Sequence, residues 1–432
     1  GDPTIGTPVV FDTADPNRMW ACYDSTNSKV VVAYTELIVG NYGMAVVGTV
    51  SGDTISFGTP VIFVSGFADN KGITEASGKI VIAFQNRGNS AYGTAIVGTV
   101  SGTSISFGTA VVFSTVNTSA FGVTWDSANS KIVIAYYPLS SVSKAIVGTI
   151  SGTSISFGSA YSFSTENTYN SATYDVTAGK VLIWYRDETS ASRSGTVAIG
   201  TVSGTSISFI TPVVFEAGST SYVYATYASN INKHIVVYTD GDNSDSTTVL
   251  VATLSGSSIS FGTPVVIEGY NSKAYGIAYG ATSGKVLITY INSSTNAAGY
   301  FKIGTISGTS ISFSAQQTLT STVYAYHSAS PVGTGDRIAV AYAAEVAGNN
   351  PGTGVVINPA SPNNTSFVGI TDEIISSGAS GSVIVQGGVN SKVTSLTIGS
   401  DYYVQTNGTL STTVTTVPAG RALSTSSILL EG

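Results

Sequence analysis

Charge is what this chain has least of. Of 432 residues, 9% are Asp, Glu, Lys or Arg, against roughly 25% in an average soluble domain. An exposed amphipathic helix needs a charged or polar stripe at a 3.6-residue period, and no segment supplies one. Cysteine occurs once, which excludes an internal disulfide framework and any multi-cysteine metal site. Two histidines leave little for a catalytic triad or a His-based metal centre. The 17 Lys and Arg form no basic cluster, and 24 Asp and Glu outnumber them to give a net charge of −7. A nucleic-acid backbone is therefore not the expected partner. No run of 18 apolar residues exists, so no membrane-spanning helix is expected. The sequence opens at Gly1 with neither Met nor a signal-type segment, which reads as a processed or trimmed chain.

What fills the space is Gly (48), Ser, Thr and Tyr (24), with 42% hydrophobic residues. That mixture can bury a large core, and it favours strands and tight turns over helices. The dominant feature is a repeat. Ser-Gly-x-Ser/Thr-Ile-Ser-Phe starts at Ser51, Ser101, Ser151, Ser203, Ser255 and Ser307. In phase with it, a basic residue opens an apolar run ending in an aromatic. The copies are Lys29 to Tyr34, Lys79 to Phe84, Lys131 to Tyr136, Lys180 to Tyr185, Lys233 to Tyr238, Lys285 to Tyr290 and Arg337 to Tyr342. Each unit reads as four strands. The first is short and ends in an aromatic, as in Gly122 to Trp125 or Ser171 to Tyr174. The second is the basic-led run, apolar without alternation and so buried on both faces. The third resembles Ala95 to Val100 and the fourth Ile55 to Phe63, joined by a two-residue Ser-Gly turn. A four-stranded unit cannot bury both its faces alone and must stack on copies of itself.

Four strands and about 50 residues per unit predict an all-β fold, a seven-bladed β-propeller over residues 1–368. The N-terminal Thr4 to Phe11 is half of a fourth strand with no unit before it. The last unit has Val323 to Tyr326, Arg337 to Tyr342 and Gly354 to Ile357, but its fourth strand, Ser361 to Phe367, is degraded. The N-terminal strand is expected to complete it and close the ring without a free edge. Residues 369–432 lose the repeat and predict a separate small β module, with a hairpin at Asn407-Gly408.

In such a unit the fourth-to-first links and the second-to-third links share one face. These vary: Asp12 to Met19, Val64 to Lys71, Ser164 to Ser171 and Glu216 to Val223 among the former; Thr35 to Gly43, Gln85 to Gly93, Arg186 to Gly195, Thr239 to Thr247 and Ala343 to Gly354 among the latter. The opposite face carries uniform turns. Varied loops on a rigid frame are where binding usually resides, although unconstrained loops also drift. Polar and aromatic side chains there are the candidate contacts: Tyr42, Asn86, Arg87, Tyr92, Arg186, Asp187, Asp240 and Asp242. Tyr can stack on a sugar face while Asn, Asp and Arg bond its hydroxyls.

Catalytic signals are weak, and no enzyme, cofactor or metal is expected. His234 replaces the Val or Ile of other second strands, and His327 stands where Asp24, Asp126 and Asp175 end first strands. Neither neighbours a Ser or Cys motif, so both read as structural. Cys22 fills the slot of Thr124, Thr173 and Thr226 and reads as a small core residue. The recurring Asp residues read as Asx-type turn caps. The Ser-x-Asp-x-Gly-x-x-Trp turns of sialidase propellers do not occur, and Arg18, Arg87, Arg186, Arg193, Arg337 and Arg421 occupy unmatched repeat positions. Asp240, Asp242 and Asp245 alternate as calcium ligands do, yet an EF-type loop needs Gly at the position of Asp245 and Glu at that of Val251, so a solvated loop is the simpler reading. The sequons at Asn117, Asn292, Asn364 and Asn407 are of the frequency expected by chance in so Ser/Thr-rich a chain.

The unit Val-Gly-Thr-Val-Ser-Gly-Thr-Ser-Ile-Ser-Phe-Gly-Thr-Pro-Val-Val-Phe resembles repeats of structural proteins of tailed bacteriophages, especially marine ones. So does the tail with Phe367-Val-Gly-Ile, Gly387 to Asn390, Tyr402-Tyr-Val, Asn407 to Ser411 and Ala419 to Ser424. The resemblance implies a non-enzymatic virion component, in tail fibre, appendage or capsid decoration. It further implies multiple copies and other virion proteins as partners through the C-terminal module. Host surface glycan is the candidate ligand. A secreted or cell-surface lectin-like propeller of a bacterium is the alternative, and a polysaccharide-degrading enzyme the weaker one.

Overall fold

The computed structural model describes residues 3–38, 40–139, 141–294, 298–321, 324–333, 336–343, 350–359, 369–371, 383–385, 389–390, 393–404, 410–413 and 418–430. Among them the strands are antiparallel and the single helical element is the 3-10 turn Arg87–Asn89. The chain divides into two compact units, residues 4–359 and residues 1–3 with 360–432. The boundary expected after residue 368 falls in a stretch outside the described residues, as do the degraded Ser361 to Phe367 and the Asn407-Gly408 turn.

The larger unit repeats one four-stranded pattern. In its first copy Pro16–Asp24 pairs with Lys29–Glu36, which pairs with Tyr42–Ser51, which pairs with Thr54–Phe57 and then Val61. The second strand is buried on both faces, with Val30 to Tyr34 at most 1% exposed. Its side chains pack alternately onto two neighbouring sheets. Val31 and Ala33 join Ile80, Ile82 and Phe84, whereas Val30, Val32 and Tyr34 join Ala339, Ala341 and Val356. Each fully buried Val or Ile contributes roughly 1.5–3 kcal/mol. The basic residue opening the second strand is tied to the third. Lys29, Lys79, Lys131, Lys180, Lys233 and Lys285 each donate through Nζ to a Thr hydroxyl at 2.7–2.9 Å.

Three expectations need correcting. First, the turn after the third strand is Gly52-Asp53, not Ser-Gly, because Ser51 already pairs with Thr54. Gly52 has φ +58, which suits Gly as the first central residue of a two-residue hairpin turn. Second, the fourth strand is broken at Gly58-Thr59-Pro60. Pro60 has no N–H to give the ladder, and a Cβ on Gly58 would lie 1.9 Å from the carbonyl oxygen of Thr103 in the next sheet. Third, the first strands are longer than four residues, and several fourth-to-first links are not loops. Val61–Ala76, Val111–Asp126 and Val213–Ala228 cross from one sheet to the next as continuous extended strands.

Every first strand carries a bulge where it turns toward the centre. The register slips between Asn17 and Trp20, Asp69 and Gly72, Ser119 and Gly122, Thr168 and Ser171, Ser221 and Tyr224, Ala274 and Gly276, and Tyr324 and His327. An extra residue on one strand sharpens its bend and re-aims its side chains.

The N-terminal segment pairs with the far end of the unit. Thr4 and Ile5 lie against Asn358 and Ile357, and Val9, Val10 and Asp12 against Gly354, Thr353 and Gly352. Ala21 N–H donates to Ser328 Oγ at 2.9 Å. In the C-terminal unit a five-stranded sheet buries Tyr402, Ala419, Ala422, Ile428 and Leu430, and Gly369–Thr371 pairs with Val383–Val385.

Candidate functional site

Register decides which loops meet. Pro16 pairs with Glu36, Ala68 with Asn86, Asn167 with Asp187 and Thr220 with Asp240, so the sheet crossings and the second-to-third links share one rim. The Asx-capped turns and the Gly-x turns share the other, since Asp24 pairs with Lys29 at that end.

The eight candidate residues fall into separate groups. Asn86, Arg87 and Tyr92 belong together, Asn86 pairing with Tyr92 across the link that holds Arg87. Around Arg87 lies a cluster the sequence did not reveal. Asp69, fully buried, binds the Arg87 guanidinium at 2.5 Å and also the Arg18 guanidinium. The Phe67 ring centroid lies 5.0 Å from the Arg87 guanidinium carbon and 5.6 Å from that of Arg18. Gln85 accepts from Arg87 Nε at 3.2 Å and donates to Asn117 Oδ1 at 2.7 Å. Arg87 is thus held by a carboxylate, an amide and an aromatic face while half its side chain stays exposed. The bulges and the strand crossing bring these residues together, and neither follows from repeat spacing alone. Beside them an open cleft of about 490 Å³ is lined by Gln85, Arg87, Ser90, Ala91, Asn117, Ser119 and Leu139.

Tyr42 pairs in the backbone with Phe67 but lines a different cleft, which carries Asp12 and Glu36. Arg186 is largely buried and neutralised by Glu188, which also lies 3.6 Å from Arg193. Asp187 is spent on capping Thr189, whose N–H and hydroxyl it accepts at 2.9 and 2.7 Å. Asp240 accepts from Asn243 N–H at 3.2 Å. Burial and the neighbouring Glu216 push its carboxyl above the usual range. Asp242 is exposed. Among the described residues no three His, Cys, Asp or Glu side chains converge to hold a metal ion.

At the centre of the larger unit the first strands surround a cavity of about 200 Å³ lined by Met19, Trp20, Phe121, Tyr224, Tyr275 and His327, among others. His327 therefore does not occupy the Asp24 position. It pairs with Tyr342, and the bond equivalent to the end of the first strand runs from Val332 N–H to the Arg337 carbonyl. The strand runs on to Pro331 without an aromatic at its end, and Tyr326-His327, closing four residues before Pro331, imitates the aromatic-Asp ends of other copies too early. His234 is buried between Thr173, 3.1 Å from its Nδ1, and Asp175, 3.2 Å from its Nε2. The set has the composition of a triad, but Trp184 Nε1 also donates to the Thr173 hydroxyl at 3.0 Å and no member is more than 5% exposed. Burial holds the His234 pKa down despite Asp175. Burial would raise the pKa of Asp175, but its bonds from His234 and the Ala178 N–H outweigh that and hold it low. The Asx caps are in place, with Asp24 Oδ1 accepting from Thr26 and Asn27 N–H and Asp175 Oδ1 from Thr177 and Ala178 N–H. Burial, then Glu75 and Asp24, pushes the Cys22 thiol pKa far up, which disfavours the thiolate form a nucleophile needs.

Comparison with solved structures gives the fold a name. A protein of unknown function from Dyadobacter fermentans is similar at 12% identity and TM-score 0.50, over 83% of this chain and 99% of that one. The periplasmic gluconolactonase of Pseudomonas aeruginosa is similar at 10% identity and TM-score 0.50, over 79% and 96%. The fold is of the propeller type. A lectin solved with α-methyl fucoside matches at 12% identity over 72% and 98%, but its TM-score of 0.46 carries no argument. No family model and no curated protein matches the chain. At such identities the propeller-type likeness speaks for architecture and not for activity.

Proposed function

We propose that the repeats close into a seven-bladed ring and that its varied rim binds saccharide without catalysis, as a lectin-like module. Supporting closure are the pairing of Thr4 to Asp12 with Gly352 to Asn358 and the bond between Ala21 and Ser328. Supporting binding is one observation above the others: Arg87 is fixed by Phe67, Gln85 and buried Asp69, yet half-exposed beside an open polar cleft. A pre-oriented polar group beside an open surface is what recognition of a hydroxylated ligand requires. Neither histidine is open to solvent.

A glycan microarray probed with the full chain tests this reading. Binding to a defined set of saccharides, with the saccharides recovered unchanged, is the expected result. An array without signal, or release of cleaved product, overturns it. Single sites of this kind are weak, so adhesion would draw on many copies.

Placement on a virion, with residues 369–432 docking to other virion proteins, is a second proposal that rests on the resemblance of the repeat unit and the tail motifs, and nothing in the comparisons supports it. Its test is the structure of the assembled particle, in which that unit should touch a neighbouring chain.

A further inference from the structure

We propose that the cleft beside Arg87 is a site for a carboxylate-bearing sugar, a hexuronate residue of an acidic polysaccharide. This rests on the saccharide-binding reading above and narrows it to one place and one ligand chemistry.

The cationic group is local. Arg87 is anchored from behind by buried Asp69 while half of its own side chain stays exposed toward the cleft. Among the described residues no acidic side chain lines the cleft. The other rim positions differ. The Tyr42 cleft carries Asp12 and Glu36, and the Arg186 side chain is only 17% exposed.

The hydrogen-bonding capacity points the same way. Arg87 uses Nε on Gln85 and Nη2 on Asp69. Its Nη1, with two N–H groups, has no partner among the described residues, and a planar carboxylate can dock end-on at that edge. Asn117 accepts from Gln85 through Oδ1, so its amide nitrogen remains a donor in the exposed part of the cleft. Ser90 and Ser119 add hydroxyls, which can serve as either partner to sugar hydroxyls. Leu139, 43% exposed, supplies an apolar wall for the C–H face of a pyranose ring. A carboxylate flanked by hydroxyls and one apolar face is the chemistry of a hexuronate. Simple anion binding would leave Leu139 and Asn117 unused.

The test is calorimetric titration of the full chain with a short oligogalacturonate and with the corresponding neutral galactose oligomer. Wild type should bind the oligogalacturonate about tenfold more tightly than the neutral oligomer, and added salt should narrow the gap, since the guanidinium is half-exposed. Arg87→Ala should abolish the preference. Because that change also strips a partner from buried Asp69, Ser90→Asp provides an independent arm. Ser90 is exposed at φ +53, a conformation Asp accepts, so the fold is kept while a negative charge enters the cleft. Ser90→Asp should weaken oligogalacturonate binding about tenfold and leave the neutral oligomer little changed. Equal binding of the two oligomers, or oligogalacturonate binding indifferent to Ser90→Asp, overturns this inference and leaves the saccharide-binding reading standing. Absence of binding to either oligomer, with no signal on a broader array, overturns both.

Discussion

His327 shows how much a single side chain can be moved by its surroundings. Both its ring nitrogens are buried without a hydrogen-bond partner among the described residues, and burial pushes its pKa down to about 3. Its ordinary value is 6.5. A folded pKa below the unfolded one means that stability is fully present above about pH 6.5 and is lost as pH falls toward 3. The loss should approach 1.4 kcal/mol per pH unit within that window. His234 acts in the same direction, less simply because Asp175 opposes the shift. Thermal melts from pH 7 to pH 4 should therefore show a steep decline in wild type and a shallower one in His327→Phe, whose ring would sit against Tyr275 and Tyr342. Parallel declines would contradict the assignment. At this scale the sequence was legible where the repeat was regular. Asp24 and Asp175 were recognisable as caps and Cys22 as a core residue because copies could be aligned. Asp69 and Phe67 were not, because nothing in a repeat alignment says that a strand crossing will bury a carboxylate between two arginines.

Among the elements, the second strand was the most legible, since a basic residue followed by five or six apolar ones marks a strand buried on both faces. The structure adds the reason for the basic residue: it ties the second strand to a Thr on the third in six copies. The bulges were invisible because a slipped residue leaves no compositional trace. The same holds for the strand crossings, which looked like loops because their sequences vary. The N-terminal strand is the element whose removal should matter most. Phe11 is 8% exposed and packs against Tyr34 and Phe57, at 5.4 and 5.1 Å between ring centroids, and Asp12 accepts from Tyr34 O–H at 2.6 Å. Loss of one buried Phe costs about 3–5 kcal/mol. Deleting residues 1–12 should lower the melting temperature by about 5 °C or more. A melting temperature left unchanged would show that this strand completes nothing.

For the whole molecule, two departures from the repeat meet where its ends come together. Arg337 stands where the other copies have Lys, and Asp53 where they have Thr or Ser. Arg337 Nε donates to Asp53 Oδ1 at 2.9 Å. The side chains are 39% and 41% exposed, so the pair contributes about 0–1 kcal/mol at most. Its value lies in register: it distinguishes the seam from the otherwise similar joints between units. The proposed ring has one uniform and one varied rim, and the proposed function puts recognition on the varied side. Hydrogen exchange of the full chain with and without bound oligogalacturonate tests that placement most directly. The account predicts slowed exchange in residues 64–71, 85–92 and 117–119, with the Gly-x turns at residues 51–54 and 101–104 unchanged. Slowing confined to those turns would contradict it.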